Sequence, residues 1–195
     1  MTGETDELLL EYTAAGNESA FEQIVRRYHV KVIHLIYCYL NHRWEAEEVA
    51  QDVFFKVWKN ASQFKGKSKF STWLYRIAVN TCLNHKRSKK AESNTLDSTS
   101  NPEDFPDNPG FAETNEGNPQ QLMEKKEREN IVRQSLRLLP EKQRMALILS
   151  RFEGYSYAEI AELMNVSIAA VESLLFRAKQ NIARILIPLK EKGEL

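Results

Sequence analysis

The residues with the most distinctive chemistry lie between Val53 and Ala91, where cationic and aromatic side chains alternate without a single acid. The cations are Lys56, Lys59, Lys65, Lys67, Lys69, Arg76, Lys86, Arg87, Lys89 and Lys90, and the aromatic residues are Phe54, Phe55, Trp58, Phe64, Phe70, Trp73 and Tyr75. Cations neutralise phosphates, and aromatic rings stack on unpaired bases, which they cannot do on an intact duplex. The stretch therefore indicates single-stranded or locally opened nucleic acid; the alternative is a solvated basic face over an aromatic core.

The segment from Gln63 to Lys69 is the most specific part of this stretch. It is short, contains Gly66 and carries three lysines. We predict a flexible loop in which no residue is needed for packing.

The sign of the charge reverses just before this stretch, in the acids Glu45, Glu47, Glu48 and Asp52. Acids in a first helical turn favour the helix dipole, which is one explanation. However, Glu48, Gln51 and Asp52 also share one face at a spacing of three and four residues. The second explanation is a docking surface for a protein.

A second motif covers residues 156–176, where local signals predict two short helices joined by a tight turn. Ser156 and Glu159 have the spacing of a capping box, Asn165 tolerates the left-handed geometry of a turn, and Ser167 can cap the next helix. This spacing predicts a helix-turn-helix whose second helix enters a major groove; the alternative is a generic helical hairpin. The outward residues of the second helix are Glu172, Ser173, Phe176, Arg177, Lys179 and Gln180.

Residue types for catalysis or metal binding are present but are not arranged for either. The histidines His29, His34, His42 and His85 lack zinc-ligand spacing, and we predict that they are structural. The acids near residue 48 have no partner base, and the seven glycines form no phosphate-binding loop. We therefore predict no catalytic residue, no metal, no cofactor and no small-molecule substrate.

The elements that carry these motifs are predicted to be helical throughout. We expect helices over 6–15, 19–40, 44–60 and 70–88 in a first lobe, and over 122–138, 140–152, 156–164 and 168–187 in a second. Ser19 and Glu22 have capping-box spacing at the start of the second helix, Pro140 suits a first helical turn, and Pro188 indicates a frayed tail.

The segment 91–122 divides the 195-residue chain into two lobes. It contains seven acids and no base, and 24 of its 32 residues are Asn, Pro, Gly, Ser, Thr, Asp or Glu. Such a composition cannot bury enough apolar surface to offset its ordering entropy, so we predict a flexible acidic linker. Residues 1–90 carry a net charge of +4 and residues 123–195 carry +3, which the linker cancels to zero. We expect this linker to compete with DNA for the basic faces.

The cysteines, the N-terminal residues and the length of the apolar stretches indicate the cellular location. Cys38 and Cys82 lie in apolar periodic stretches, which is typical of reduced, buried thiols. The acidic N-terminal residues lack the basic region of a signal peptide, and no apolar stretch approaches a membrane-spanning length. We expect a cytoplasmic protein.

Taken together, the two lobes resemble the extracytoplasmic-function (ECF) sigma factors, the promoter-specificity subunits of bacterial RNA polymerase. The resemblance rests on four stretches of sequence: AFEQIVRRYHVKV, EAEEVAQDVFFKVW, FKGKSKFSTWLYRIAVN and LPEKQRMALILSRFEGYSYAEIAELMNVS. It implies an all-α protein of two small helical domains. These are a promoter-melting bundle over 1–90 and a helix-turn-helix domain over 123–195, joined by the flexible linker.

The resemblance also implies roles for individual residues. Contacts to core RNA polymerase, at the clamp helices of its largest subunit, are expected from Glu48, Gln51, Asp52 and Phe55. Contacts to the −10 element of promoter DNA are expected from Phe64, Lys65, Lys67, Ser68, Lys69, Phe70, Trp73, Tyr75, Arg76, Asn80, Lys86 and Arg87. Contacts to the −35 duplex are expected from Ser167, Ala169, Glu172, Ser173, Phe176, Arg177, Lys179 and Gln180. The flap of the second-largest polymerase subunit and an anti-sigma factor, often membrane-anchored, are the other implied partners.

The sequence departs from the family pattern at Glu172 and Leu174, where a basic residue is common. We hypothesise that Glu172 accepts a hydrogen bond from a cytosine amine and shifts the −35 preference. Two other classes of protein are the alternatives, a stand-alone transcriptional regulator and an enzyme that acts on nucleic acid. A stand-alone regulator needs a dimerisation helix and leaves the basic stretch unexplained, and a nuclease needs a metal cluster or a nucleophile with its base.

Overall fold

The computed structural model describes residues 4–93 and 130–191, with side chains over 4–85 and 130–191. Its regular elements in these ranges are helices, which confirms the all-α prediction. They are α1 (Asp6–Ala14), α2 (Glu18–Leu40), α3 (Arg43–Asn60), a 3₁₀ turn (Ala61–Gln63), α4 (Phe70–Ser93), α5 (described over 130–137), α6 (Glu141–Arg151), α7 (Tyr157–Met164) and α8 (Ile168–Glu191). All but the first three residues of the predicted linker 91–122 lie outside the described residues.

Helices α1 to α4 form the N-terminal bundle. Helix α2 is the central element, because α1, α3 and α4 all pack against it. Its inward side chains include Leu35, Ile36 and Tyr39, which are fully buried. Burying each large apolar side chain contributes about 1.5–3 kcal/mol, so this face is the main source of stability for the bundle.

The start of α2 differs from the sequence prediction. The capping residue is Asn17, whose side chain accepts a hydrogen bond from the amide of Ala20 at 3.0 Å. Gly16, with φ of 89°, turns the chain so that Asn17 precedes the helix in extended geometry. Ser19 therefore already lies inside the first turn, and its predicted capping box with Glu22 is wrong.

The C-terminal domain consists of α5 to α8 and confirms the predicted helix-turn-helix geometry. Ser156 and Glu159 form a complete capping box at α7. Asn165 is left-handed, with φ of 52° and ψ of 53°, and the amide of Val166 bonds back to the carbonyl of Ala161 at 3.0 Å. Ser167 then accepts a hydrogen bond from the amide of Ala170 and caps α8. These bonds satisfy the backbone groups that two adjoining helix ends leave unpaired.

The helix boundaries at two prolines differ from the prediction. Pro140 is the residue before α6 rather than part of its first turn. Helix α8 continues through Pro188 to Glu191, where a frayed tail was expected. A proline this close to a helix end removes one hydrogen bond of the last turns, which is a smaller penalty than in a helix interior.

The two domains pack against each other, an arrangement that the sequence did not predict. Helix α6 lies against α2, and α7 lies along α4. The buried guanidinium of Arg144 crosses between the domains and donates to the carbonyl oxygen of Tyr39 at 3.0 Å. Over residues 4–93 and 130–191, no helix is both long enough and apolar enough to span a bilayer.

Candidate nucleic-acid interface

The loop before α4 presents the lysines predicted to contact the −10 element. Lys65, Lys67 and Lys69 are exposed, and Gly66 with φ of 65° makes the turn between them. The amide of Phe70, which begins α4, donates to Glu7 Oε1 of α1 at 3.2 Å. This bond attaches the end of the loop to the N-terminal bundle. The three lysines therefore extend into solvent from a loop whose end is held in place.

The aromatic residues beside this loop are part of the core, contrary to one expectation. The ring of Phe64 lies 5.5 Å from that of Trp73 and 6.4 Å from that of Phe70, which in turn lies 5.4 Å from Tyr28. The prediction that no loop residue is needed for packing is therefore wrong for Phe64. Phe70 is 0% exposed, so it supports the loop and cannot reach a base in this arrangement.

The predicted DNA-contacting residues of α4 are unequally accessible. Asn80 is exposed, and Trp73 and Arg76 are partly buried. Tyr75 is only 6% exposed, and its ring packs edge-on against Tyr155 of the C-terminal domain at 5.8 Å. Burial raises the pKa of Tyr75 to about 12. The other two residues predicted for this element, Lys86 and Arg87, lie in α4, but their side chains are outside the described residues.

The face predicted to bind polymerase lies on the outer side of α3. Glu48, Gln51, Asp52 and Phe55 are all exposed there, whereas Val53 on the same helix is buried. Phe55 is 64% exposed, so a large apolar ring is accessible to solvent beside three polar side chains. The helix therefore combines an apolar anchor with a polar rim, an arrangement common in protein interfaces.

Helix α8 presents every predicted −35 residue to solvent. Its inner face packs through Val171, Leu175 and Ala178, all of which are buried. The exposed set consists of Ser167, Ala169, Glu172, Ser173, Phe176, Arg177, Lys179 and Gln180. The hydroxyl of Ser173 donates to the carbonyl of Ala169 at 3.0 Å, so its oxygen remains available only as an acceptor. A helix with one polar, cation-bearing face free is suited to a major groove.

The residues that sequence reasoning missed join the two domains. They are His34, whose Nδ1 lies 3.1 Å from Glu153 Oε1, Arg144 and Tyr155. Of these three residues, only Arg144 could have been noticed in the sequence, as a cation directly before the apolar run MALIL.

Within the described residues, no group of three or more His, Cys, Asp or Glu side chains is placed to hold a metal ion. Of the two thiols predicted to be buried, Cys82 is buried and Cys38 only partly so.

Two protein-family models match the chain, one in each domain. Residues 24–92 match Sigma-70 region 2, and residues 129–182 match Sigma-70, region 4. The RNA polymerase sigma-H factor of Pseudomonas aeruginosa is 36% identical over 189 residues, which cover 97% of each chain. The ECF RNA polymerase sigma-E factor of Escherichia coli is 36% identical over 187 residues, which cover 95% of this chain and 96% of that one.

Solved structures share the fold at lower identity. CnrH in complex with the cytosolic domain of CnrY matches with a TM-score of 0.62 and 21% identity over 95% of this chain and 99% of that chain. The sigma factor RpoE of Bartonella quintana, in complex with the anti-sigma factor NepR, matches with a TM-score of 0.65 and 22% identity over 85% of this chain and 96% of that chain. With both sigma-70 regions matched and relatives aligned over nearly their full length, the chain belongs to the ECF sigma factors, which are not enzymes but bind RNA polymerase and recognise promoters.

Proposed function

We propose that this sigma factor divides promoter recognition between its two domains. The N-terminal domain captures the −10 element as an opened strand, and the C-terminal domain reads the −35 element as duplex. The observation that carries this division is chemical. Three exposed lysines lie beside the partly buried rings of Phe64 and Trp73 at the loop before α4, whereas α8 presents an exposed polar face with Arg177, Lys179 and one ring, Phe176.

At the −10 element, Lys65, Lys67 and Lys69 approach the phosphates, and Ser68 is placed to hydrogen-bond a base edge or backbone. Trp73, Arg76 and Asn80 succeed one another along one face of α4, because they are three and four residues apart. Phe64 and Trp73 are both partly buried, and we assign stacking to Trp73 because it shares a face with Arg76 and Asn80. Phe64 and Phe70 act by holding Trp73 and the loop in place.

At the −35 element, Arg177 and Lys179 supply phosphate or guanine contacts, and Glu172 faces the groove as an acceptor for a cytosine amine. Ser167, Ala169, Ser173, Phe176 and Gln180 complete the contact face. Because Glu172 repels phosphates, its presence is better explained by base readout than by general affinity.

Polymerase binding is assigned to the exposed face of α3. Phe55 is the apolar anchor, and Glu48, Gln51 and Asp52 form the polar contacts with the clamp helices of the largest subunit. The C-terminal domain docks on the flap of the second-largest subunit. An anti-sigma factor, soluble or membrane-anchored, restrains the protein in the cytoplasm by covering these faces. The complexes formed by CnrH and by RpoE of Bartonella quintana support this last assignment by analogy.

The test is run-off transcription with purified bacterial core polymerase, with and without this protein, on fragments that include the region upstream of its own gene. Discrete, protein-dependent transcripts are expected, and their start sites define both promoter elements. A variant carrying Phe55→Ala and Asp52→Ala should lose transcription and core binding together, while Glu191→Gln, a change on an exposed acid of α8, should retain both. Failure of the unaltered chain to bind core would overturn the proposal.

A further inference from the structure

The surface of α4 that faces the C-terminal domain is the one assigned above to the −10 strand. Helix α7 runs along it. Tyr155, just before α7, covers the ring of Tyr75, and Glu162 Oε1 lies 3.7 Å from the Nη2 of Arg76. Arg76, which is assigned above to strand capture, and its neighbour Tyr75 are therefore in contact with the other half of the same chain.

The charges of the two surfaces are complementary. The N-terminal stretch from Val53 to Ala91 contains no acid, whereas residues 152–176, which include α7, contain no lysine or arginine and four glutamates. Hydrogen bonds from Ser156 lower the pKa of Glu159, and the ammonium of Lys69 lowers it further. Glu162 thus contacts α4, and Glu159 adds a second negative charge on the same helix, as the phosphates of a strand would.

The guanidinium of Arg76 is held but not fully satisfied. Its Nε is buried and has no hydrogen-bond partner among the described residues, and the ion pair with Glu162 is long. A buried donor without an acceptor is unfavourable, so a phosphate that met both nitrogens would be a better partner than Glu162. The contact can therefore be displaced.

The domains share a continuous apolar core, and polar contacts also join them. The polar contacts include the His34–Glu153 pair, the Arg144–Tyr39 hydrogen bond and the placement of Arg133 over the ring of Tyr37 at 5.8 Å. Loss of such contacts weakens the association of the domains. In contrast, the −35 face of α8 is free of these contacts, since all eight of its predicted residues are exposed.

We propose that α7 is an intramolecular competitor of the −10 strand: in the free protein it covers part of the face of α4 beside the basic loop, while the −35 helix remains open. The free chain then engages duplex DNA through α8 but withholds its strand-capturing face until the domains separate. This inference rests on the proposed function, because it assumes that the α4 face binds the strand.

The test compares the full-length chain with a variant carrying Glu159→Gln and Glu162→Gln. The control carries Glu11→Gln and Glu191→Gln, which change the net charge equally at exposed positions on α1 and α8. The probe is a fluorescein-labelled pool of random single-stranded 20-mers, followed by anisotropy, and the radius of gyration is followed by small-angle X-ray scattering. We expect the α7 variant to expand and to bind the pool at least threefold more tightly than the control.

The possible results separate the two proposals. Unchanged size and unchanged affinity in the α7 variant would overturn the competition by α7. Expansion without strand binding in any variant would instead overturn the assignment of the α4 face to the strand. Because Glu159 belongs to the capping box of α7, a second variant, Glu153→Gln, breaks the contact with His34 and leaves that box intact. It should expand the chain in the same way.

Discussion

At the scale of single residues, adjacent side chains such as Lys69 and Phe70 have different functions. Lys69 projects into solvent, whereas Phe70 is enclosed by Tyr28, Phe64 and Trp73. The basic side chains therefore provide contacts to DNA, and the aromatic ones determine where those contacts are held.

This separation predicts opposite phenotypes for two substitutions. Phe70→Ala should lower the free energy of unfolding by about 3–5 kcal/mol, because it empties a fully buried site. Lys67→Ala should change it by less than about 0.5 kcal/mol. The same change should reduce the salt dependence of single-strand binding by about one ion. Urea titrations measure the change in the free energy of unfolding, and anisotropy at several salt concentrations measures the salt dependence of binding. A Phe70→Ala protein as stable as the unaltered chain but defective in DNA binding would contradict the assignment.

The ionisation of His34 depends on a contact within α2 and on a contact across the domain interface. Its hydrogen bonds with Cys38, 3.6 Å away on the same helix, and then with Glu153 raise the pKa of His34 to about 10, against burial, which lowers it. A raised pKa in the folded state stabilises the fold at low pH. The stabilisation is complete below the unfolded pKa of about 6.5, declines above it, and is lost as the pH passes about 10.

We therefore expect the free energy of unfolding to fall between pH 6.5 and 10 in the unaltered chain, and to fall less in a His34→Gln variant. Urea titrations at several pH values measure the difference. His29→Gln is the matched control, since its ring instead stacks on Phe54 within the N-terminal bundle. Identical pH profiles for the unaltered chain and His34→Gln would contradict the role given to His34.

At the scale of elements, α8 combines two functions on opposite faces. Val171, Leu175 and Ala178 hold it in the C-terminal domain, and its exposed face carries the residues for the groove. Glu172 on that face lies between the turn and the two cations Arg177 and Lys179. Specificity and general attraction to DNA can therefore be altered separately along one helix.

Glu172→Lys should change which −35 sequence is preferred and should strengthen binding to DNA in general. Loss of a carboxylate acceptor removes about 1–3 kcal/mol of discrimination in favour of cytosine at one position. Selection of duplexes from a randomised −35 library measures the preference. The matched control, Arg184→Gln, changes an exposed residue of α8 outside the assigned contact face and should leave the order of preferred sequences unchanged. An unchanged preferred sequence in Glu172→Lys would exclude the hypothesis.

At the scale of the whole molecule, the net charge of zero conceals two basic domains and an acidic segment. The seven acids of residues 91–122 and the glutamates before and within α7 are two sources of negative charge that can oppose DNA. The glutamates within α7 lie on a helix that packs directly against α4.

Replacement of those seven acids by their amides should tighten binding of the free chain to a −35 duplex at low ionic strength, because their repulsion and competition are removed. The gain should disappear at high salt, where charges are screened. Anisotropy with a labelled duplex measures it. The control, Glu11→Gln with Glu191→Gln, removes acids outside this segment. An affinity at low salt equal to that of the unaltered chain would exclude the competition.

The positions of most helices, the helix-turn-helix and the division of charge can be predicted from the sequence. Capping at Ser156, the left-handed turn at Asn165 and the spacing within α8 depend on residues three to six positions apart, so they are readable locally. The burial of Phe70 and Tyr75 and the contacts of Arg144 and His34 between the domains became known from the three-dimensional structure. Helical periodicity predicts that a face is apolar or charged, but it does not predict which distant part of the chain will pack on that face. The packing depends on contacts between residues about a hundred positions apart.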